Sequence, residues 1–127
     1  MTPEGYKYTT THEWAEIRGD IVTVGVTRYA GDQYTSVTHI EPKPLGTVVV
    51  AGETIGEIES VKAVFEILSP VDGTILEINP AVAVSPAIVA EDPYRTGWIL
   101  RMRMNPGSDL SHLLGADDYD KQLAGQM

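Results

Sequence analysis

Lys62 has the clearest opening for chemistry. Between Lys43 and Arg95 it is the only basic side chain, while Glu53, Glu57, Glu59, Glu66, Asp72, Glu77, Glu91 and Asp92 share that interval. A solubilising Lys ordinarily sits among other Lys and Arg on a mixed-charge surface. A lone amine in an acidic stretch is either a solvated cation or a nitrogen kept for a purpose. The chain has no cysteine. Thiolate nucleophiles, disulfides and cysteine-based metal sites fall away together, and any thiol or redox chemistry has to come from an attached group. His12, His39 and His112 are scattered without the short spacings of metal ligands. No nucleophile elbow and no phosphate-cradling glycine loop is present. A self-contained enzyme is hard to assemble from these parts.

The 127 residues, 43% of them hydrophobic, suffice for one buried core and are too few for two ordinary domains. Nine basic against eighteen acidic residues give a formal charge of -9. That balance argues against nucleic acid and anionic membrane, both of which need a positive protein face. Partners are expected to dock through basic surfaces. The start, Met1-Thr2-Pro3-Glu4-Gly5-Tyr6, has no cationic end followed by an apolar run, and no window reaches the ~18 apolar residues of a spanning helix. A soluble chain in a prokaryotic cytoplasm is the expectation.

The elements that must position Lys62 are mostly strands. Tyr8 to Ile17 is rich in β-formers, and Ile21-Val22-Thr23-Val24-Gly25-Val26 follows it across Gly19-Asp20, which predicts a hairpin. Thr27 can cap a short helical turn through Asp32. Ser36 to Ile40, Gly46 to Val50, Thr54 to Glu59 and Val64 to Leu68 read as further strands. Ser69-Pro70-Val71-Asp72-Gly73 is the strongest turn signal, with Asp-Gly suited to positive φ. A faint internal echo pairs Gly46-Thr47-Val48 with Gly73-Thr74-Ile75, and Val50 to Ile55 with Val84 to Val89. It suggests two quasi-equivalent strand–turn–strand halves around Lys62. Trp98 to Met104 alternates as a last strand. Ser108 or Asp109 can cap a helix with Leu110, Leu113 and Leu114 on one face and Gly115 at its end, and a second helix is expected near Asp117. The domain is thus expected to have a β core over about 20–104 and a helical tail over about 108–124, packed on the outside. No Gly or Asn in Val61-Lys62-Ala63 supplies positive φ, so local chemistry does not predict a tight turn there.

Several segments together resemble the H protein of the glycine cleavage system, a lipoyl-carrying relative of the lipoyl domains of 2-oxoacid dehydrogenases. They are His12-Glu13-Trp14, Val24-Gly25-Val26-Thr27 with Tyr29-Ala30, Gly46 to Glu53, Glu59-Ser60-Val61-Lys62-Ala63, Ser69 to Gly73, Asn79-Pro80, Asp92-Pro93-Tyr94 with Gly97-Trp98, and Leu113-Leu114 with Tyr119. They run through nearly the whole chain in order, which is far more specific than any one motif. The resemblance implies a mainly β barrel-sandwich hybrid with short flanking helices and a C-terminal helical tail. It also implies a lipoyl group in amide linkage to Lys62, framed by Glu59, Ser60, Val61 and Ala63. The family's lipoyl arm takes an aminomethyl group from glycine decarboxylase, presents it to an aminomethyltransferase and is reoxidised by dihydrolipoyl dehydrogenase. The protein itself is a non-catalytic carrier.

By the same resemblance Glu59 and Glu66 could be read by lipoyl-attaching enzymes, and Glu13 and Glu66 stand where the family places carboxylates that could hold the loaded arm's amine. Each is otherwise an ordinary solvated carboxylate. A biotin carrier would place Met on both sides of its Lys, where this chain has Val61 and Ala63. Tyr34-Thr35-Ser36 replaces the family's usual Leu-Gly-Asp or Leu-Gly-Glu, and Val64-Phe65 stands where small or polar residues are common. Two alternatives therefore stay open. One is an H-like lipoate-binding protein that carries sulfur for the enzymes of heterodisulfide-reductase-like sulfur oxidation; the other is an unmodified β-domain that binds or regulates a partner.

Overall fold

The computed structural model describes residues 2–126. Its frame is two antiparallel sheets. The larger begins with β1 (Lys7–Tyr8), β2 (Glu13–Arg18) and β3 (Ile21–Val26), and the smaller holds β4 (Val37–Pro42). After β5 (Val48–Val49) come β6 (Thr54–Ser60), β7 (Val64–Leu68), β8 (Gly73–Ile78) and β9 (Leu100–Met104). The six-stranded sheet runs β1-β2-β3-β9-β8-β5 and the three-stranded sheet β4-β6-β7. The predicted hairpin at Gly19-Asp20 forms, with Arg18 paired to Ile21 and Gly19 at φ 62, a conformation that costs glycine little.

Alternation along the strands sends Val22, Val24, Ile40, Ile55, Ile58, Ile67, Ile75, Leu100 and Met102 into one core cluster drawn from both sheets. Burying each such side chain stabilises the fold by roughly 1.5–3 kcal/mol. A second, aromatic cluster joins Tyr8, Trp14 and Tyr119, with Tyr6, Tyr94 and Trp98 packed around it. The buried core therefore begins before residue 20, because β2 contributes Trp14 and Ala15. Gly25 is fixed by that second cluster: a Cβ there would lie 2.5 Å from Trp14 Nε1, whose N–H donates to the Pro93 carbonyl at 2.9 Å.

Short helices fill the connections. In α1 (Arg28–Gln33), Thr27 caps as expected, its hydroxyl oxygen accepting from the Ala30 amide at 3.3 Å. The echoed segments separate in fate. Gly46-Thr47-Val48 and Gly73-Thr74-Ile75 do meet, with Val48 opposite Thr74 in the β5/β8 ladder. Val84 to Val89, expected to be strand, instead bridges α2 (Pro80–Val84) and α3 (Ile88–Glu91). Asn79 explains the difference, since its side chain caps the Ala81 amide at 3.0 Å and Pro80 follows at the first helical position.

Two further expectations are corrected. Gly73 is not in the left-handed region; it is required because a Cβ would lie 2.4 Å from the Arg103 carbonyl oxygen across the ladder. No helix opens at Ser108 or Asp109, and the tail over 108–124 is not helical throughout. Asp109 Oδ1 accepts from the Ser111 amide at 2.9 Å, a local turn that ends on itself. Leu114 then pairs with Tyr8 as an extended bridge, through bonds of 2.8 and 2.7 Å. Leu110 and Leu113 pack on the first cluster and Leu114 on the second, so the three share no helical face. Among the described residues, the one helix of the tail is α4 (Ala116–Gln126), with Asp117 and Asp118 in its first turn, where the helix dipole favours them. Gly115, expected as a stop, precedes it, and its carbonyl takes the Tyr119 amide at 3.0 Å.

Candidate functional site

The hairpin of β6 and β7 carries Lys62 at its tip. Its register sets Ile58 opposite Phe65 and Glu59 opposite Val64, leaving Ser60 to Ala63 as the connection. None of these four residues has positive φ. The turn is closed by Ser60 instead. The Ser60 amide donates to the Ala63 carbonyl at 2.8 Å, its hydroxyl donates to the same carbonyl at 3.1 Å, and its oxygen accepts from the Ala63 amide at 3.2 Å. The Val61 amide donates to the Thr35 carbonyl at 3.1 Å, tying the tip to the segment after α1. Sequence reasoning named Ser60 as part of the motif and missed this role. The signal was available, because a serine hydroxyl can substitute for a backbone turn bond.

Lys62 is exposed, and among the described residues it enters no ion pair. Its chain neighbours Val61 and Val64 are 67% and 57% exposed, an apolar collar at the hairpin tip, with Ala63 also open to solvent. Glu59 is exposed on the outer face of β6, where its carbonyl accepts from the Thr38 hydroxyl at 3.2 Å. Glu66 is exposed on β7, opposite Glu57, and accepts from the Thr54 hydroxyl at 3.2 Å.

Glu13 lies elsewhere in character. It is only 2% exposed, and its carboxylate accepts from the Thr9 and Thr11 hydroxyls at 2.6 and 2.5 Å and from the Leu68 amide at 3.2 Å. Burial raises its pKa, and these hydrogen bonds pull the other way without cancelling it. Glu13 thus ties β2 to the base of β7.

Beside β7 a groove of about 190 Å³ opens, walled by His12, Tyr29, Tyr34 and Phe65, with Thr11 and Glu66 also lining it. Tyr34 and Phe65 pack ring against ring at 4.7 Å, and His12 against Tyr29 at 4.6 Å. Burial holds the Tyr34 hydroxyl well above the ordinary phenol range, with the Glu13 carboxylate adding to the shift. Among the described residues, no Lys or Arg lines this groove. The structure brings Lys62, Glu59, Ser60, Val61 and Ala63 together at the tip, and sets Glu66 at the groove with Glu13 bonded to groove-lining Thr11. The sequence departures at Tyr34 and Phe65 were visible as departures; that they meet in one wall was not.

Comparison with known proteins gives a consistent result. The family described as Glycine cleavage H-protein matches residues 6–126. A glycine cleavage system H protein of Acaryochloris marina is 42% identical over 123 residues, 97% of this chain and 96% of that protein. One from Rubrobacter xylanophilus is 45% identical over 121 residues, covering 95% and 94%. The crystal structure of a glycine cleavage system H protein from Mycobacterium marinum superposes with a TM-score of 0.86 at 34% identity, covering 96% of this chain and 98% of that one. The mainly β barrel-sandwich, the collared hairpin tip and these matches over nearly full length converge, and the chain belongs to the glycine cleavage H-protein family.

Proposed function

We propose that this chain is a lipoyl carrier, acylated at Lys62, that shuttles an aminomethyl group between the enzymes of glycine cleavage and contributes no catalytic group of its own. The observation that carries the proposal is the position of Lys62: an exposed amine, in no ion pair among the described residues, at the tip of a hairpin held by Ser60. These residues fit an amide-linked arm. Acylation removes one charge, and no buried carboxylate loses a partner when it does. When bound, lipoate supplies the disulfide and dithiol chemistry that the cysteine-free chain lacks.

The chain's own work is placement. Ile58 and Ile67 anchor the hairpin in the core while Val61 and Val64 leave its tip apolar and accessible. A fixed base with a long flexible arm keeps the reactive end at high effective concentration for each partner in turn. Those partners are lipoyl-attaching enzymes, glycine decarboxylase, aminomethyltransferase and dihydrolipoyl dehydrogenase. Glu59 and Glu66 flank the tip where an attaching enzyme meets it.

The groove supports the aminomethyl cargo over sulfur. Aromatic faces and carboxylates attract a cation, and a groove without Lys or Arg offers no countercharge to a persulfide or thiolate. Glu66 is the carboxylate open to an ammonium there; Glu13 acts from behind, through Thr11 and its field. The test is intact mass after incubation with lipoate ligase, ATP and lipoate. A single lipoyl increment in the wild type and none in Lys62→Arg is expected. No gain, or an equal gain in both, removes Lys62 from its role.

A further inference from the structure

We propose that Tyr119, on the C-terminal helix, is a positioning residue that fixes the proton of His12 on Nε2 and so presents a neutral N–H donor to an acceptor on the arm seated in the groove. This inference rests on the lipoyl-carrier proposal and adds a residue to it that neither the attachment motif nor the arm-holding carboxylates include.

The direction of one hydrogen-bond relay carries it. The Tyr119 hydroxyl lies 2.7 Å from Thr27 Oγ1 and 2.8 Å from His12 Nδ1. Thr27 is 0% exposed, and its oxygen already accepts from the Ala30 amide. Its hydroxyl proton therefore has one partner, the Tyr119 oxygen. Tyr119, 1% exposed, must then direct its own proton to His12 Nδ1, which accepts only when it carries no hydrogen. The imidazole is neutral and its proton sits on Nε2. Reversing the relay would make His12 Nδ1 the donor and Thr27 the acceptor, and would strand the Thr27 proton in the core, a loss that buried donors rarely suffer. Burial lowers the His12 pKa and favours the same neutral ring.

The ring's orientation is held from the backbone as well. His12 has φ 75, rare for a residue with a side chain, and keeps it through its amide on the Thr9 carbonyl at 3.2 Å and its carbonyl on the Thr27 amide at 3.0 Å. Tyr29 packs on one side of the ring at 4.6 Å. Nε2 has no protein partner among the described residues, and the ring lines the groove beside β7. The tyrosine reaches this place because α4 docks on β1, with Tyr119 stacked on Tyr8 at 4.9 Å. A lipoyl-lysine offers two kinds of acceptor, its amide carbonyl and its sulfurs, and a fixed N–H suits either.

The test is imidazole nitrogen NMR on ¹⁵N-labelled whole chain at neutral pH in three forms: unmodified, octanoylated at Lys62, and lipoylated. In the unmodified wild type His12 is expected to show a protonated Nε2 and a bare Nδ1. Tyr119→Phe is expected to shift this to an averaged mixture of tautomers; should that variant fail to fold, Thr27→Val, which frees the tyrosine to turn, is expected to do the same. A wild-type proton on Nδ1, or an unchanged pattern in a folded variant, overturns the relay. Lipoylation is expected to move the Nε2 resonance in the wild type and much less in the variant. A shift shared by the octanoyl form assigns the acceptor as the amide carbonyl, and a shift confined to the lipoyl form assigns it as sulfur. An Nε2 unmoved by both overturns the donor role. Intact mass of the same samples reports acylation of Lys62 separately, so failure of the carrier proposal is told apart from failure of this one.

Discussion

Glu13 shows how much one side chain's setting changes its meaning. By type alone it reads as a solvated acid, and by the family resemblance as an arm-holding carboxylate; bonded to Thr9, Thr11 and the Leu68 amide, it is a structural tie whose reach into the groove runs through Thr11. Removing it in Glu13→Ala strands the part-buried Leu68 N–H and the Thr9 hydroxyl, and a loss of about 1–3 kcal/mol in denaturant unfolding is expected. Its pH signature has a definite sign. Because its folded pKa is raised, the folded state binds more protons than the unfolded state above ~pH 4.3, so its contribution is full below that value and is lost as pH rises through the folded pKa. The stability difference between wild type and Glu13→Gln is therefore expected to shift against the wild type from pH 4 toward neutrality; a difference flat in pH would contradict the raised pKa. The isolation of Lys62 was legible because charge is a sequence property and can be counted. The Ser60 closure was not, since it depends on where a hydroxyl points once β6 and β7 are in register.

At the scale of elements, local signals succeeded where one residue type forces one geometry. Gly19, Thr27 and the alternating runs of β3 and β9 gave a hairpin, a capped helix and strands where expected. They failed where a partner far along the chain decides. Leu110, Leu113 and Leu114 have helical spacing, yet Tyr8 takes Leu114 into a bridge and the helix begins later, at Ala116. Gly73 reads as a turn glycine, and what demands it is the Arg103 carbonyl on the neighbouring strand. Gly25 gives a direct check of such long-range packing. In Gly25→Ala the new methyl meets the Trp14 ring, and a cost of about 1–3 kcal/mol from overpacking is expected in thermal or denaturant unfolding. An unchanged midpoint would show that the indole is free to move, against its bond to Pro93.

For the whole molecule, the barrel-sandwich and the family were legible because many weak motifs stand in one order over nearly the full length, a constraint no single motif provides. Neither the aromatic groove nor the relay from α4 to His12 was legible, since each assembles residues more than 20 positions apart. The formal charge of -9 belongs to this scale too. Docking to basic partner surfaces is expected to weaken as salt rises, by slower association above all, and stopped-flow binding to glycine decarboxylase at two ionic strengths reads it directly. An association rate independent of salt would place docking on the apolar collar of Val61 and Val64 instead. The central claim meets its most direct test in the mass of the lipoylated chain after incubation with glycine and a glycine decarboxylase known to load another carrier. The account predicts one aminomethyl increment, mapped to the peptide bearing Lys62 and absent from Lys62→Arg; a lipoylated chain that stays at its starting mass would contradict it.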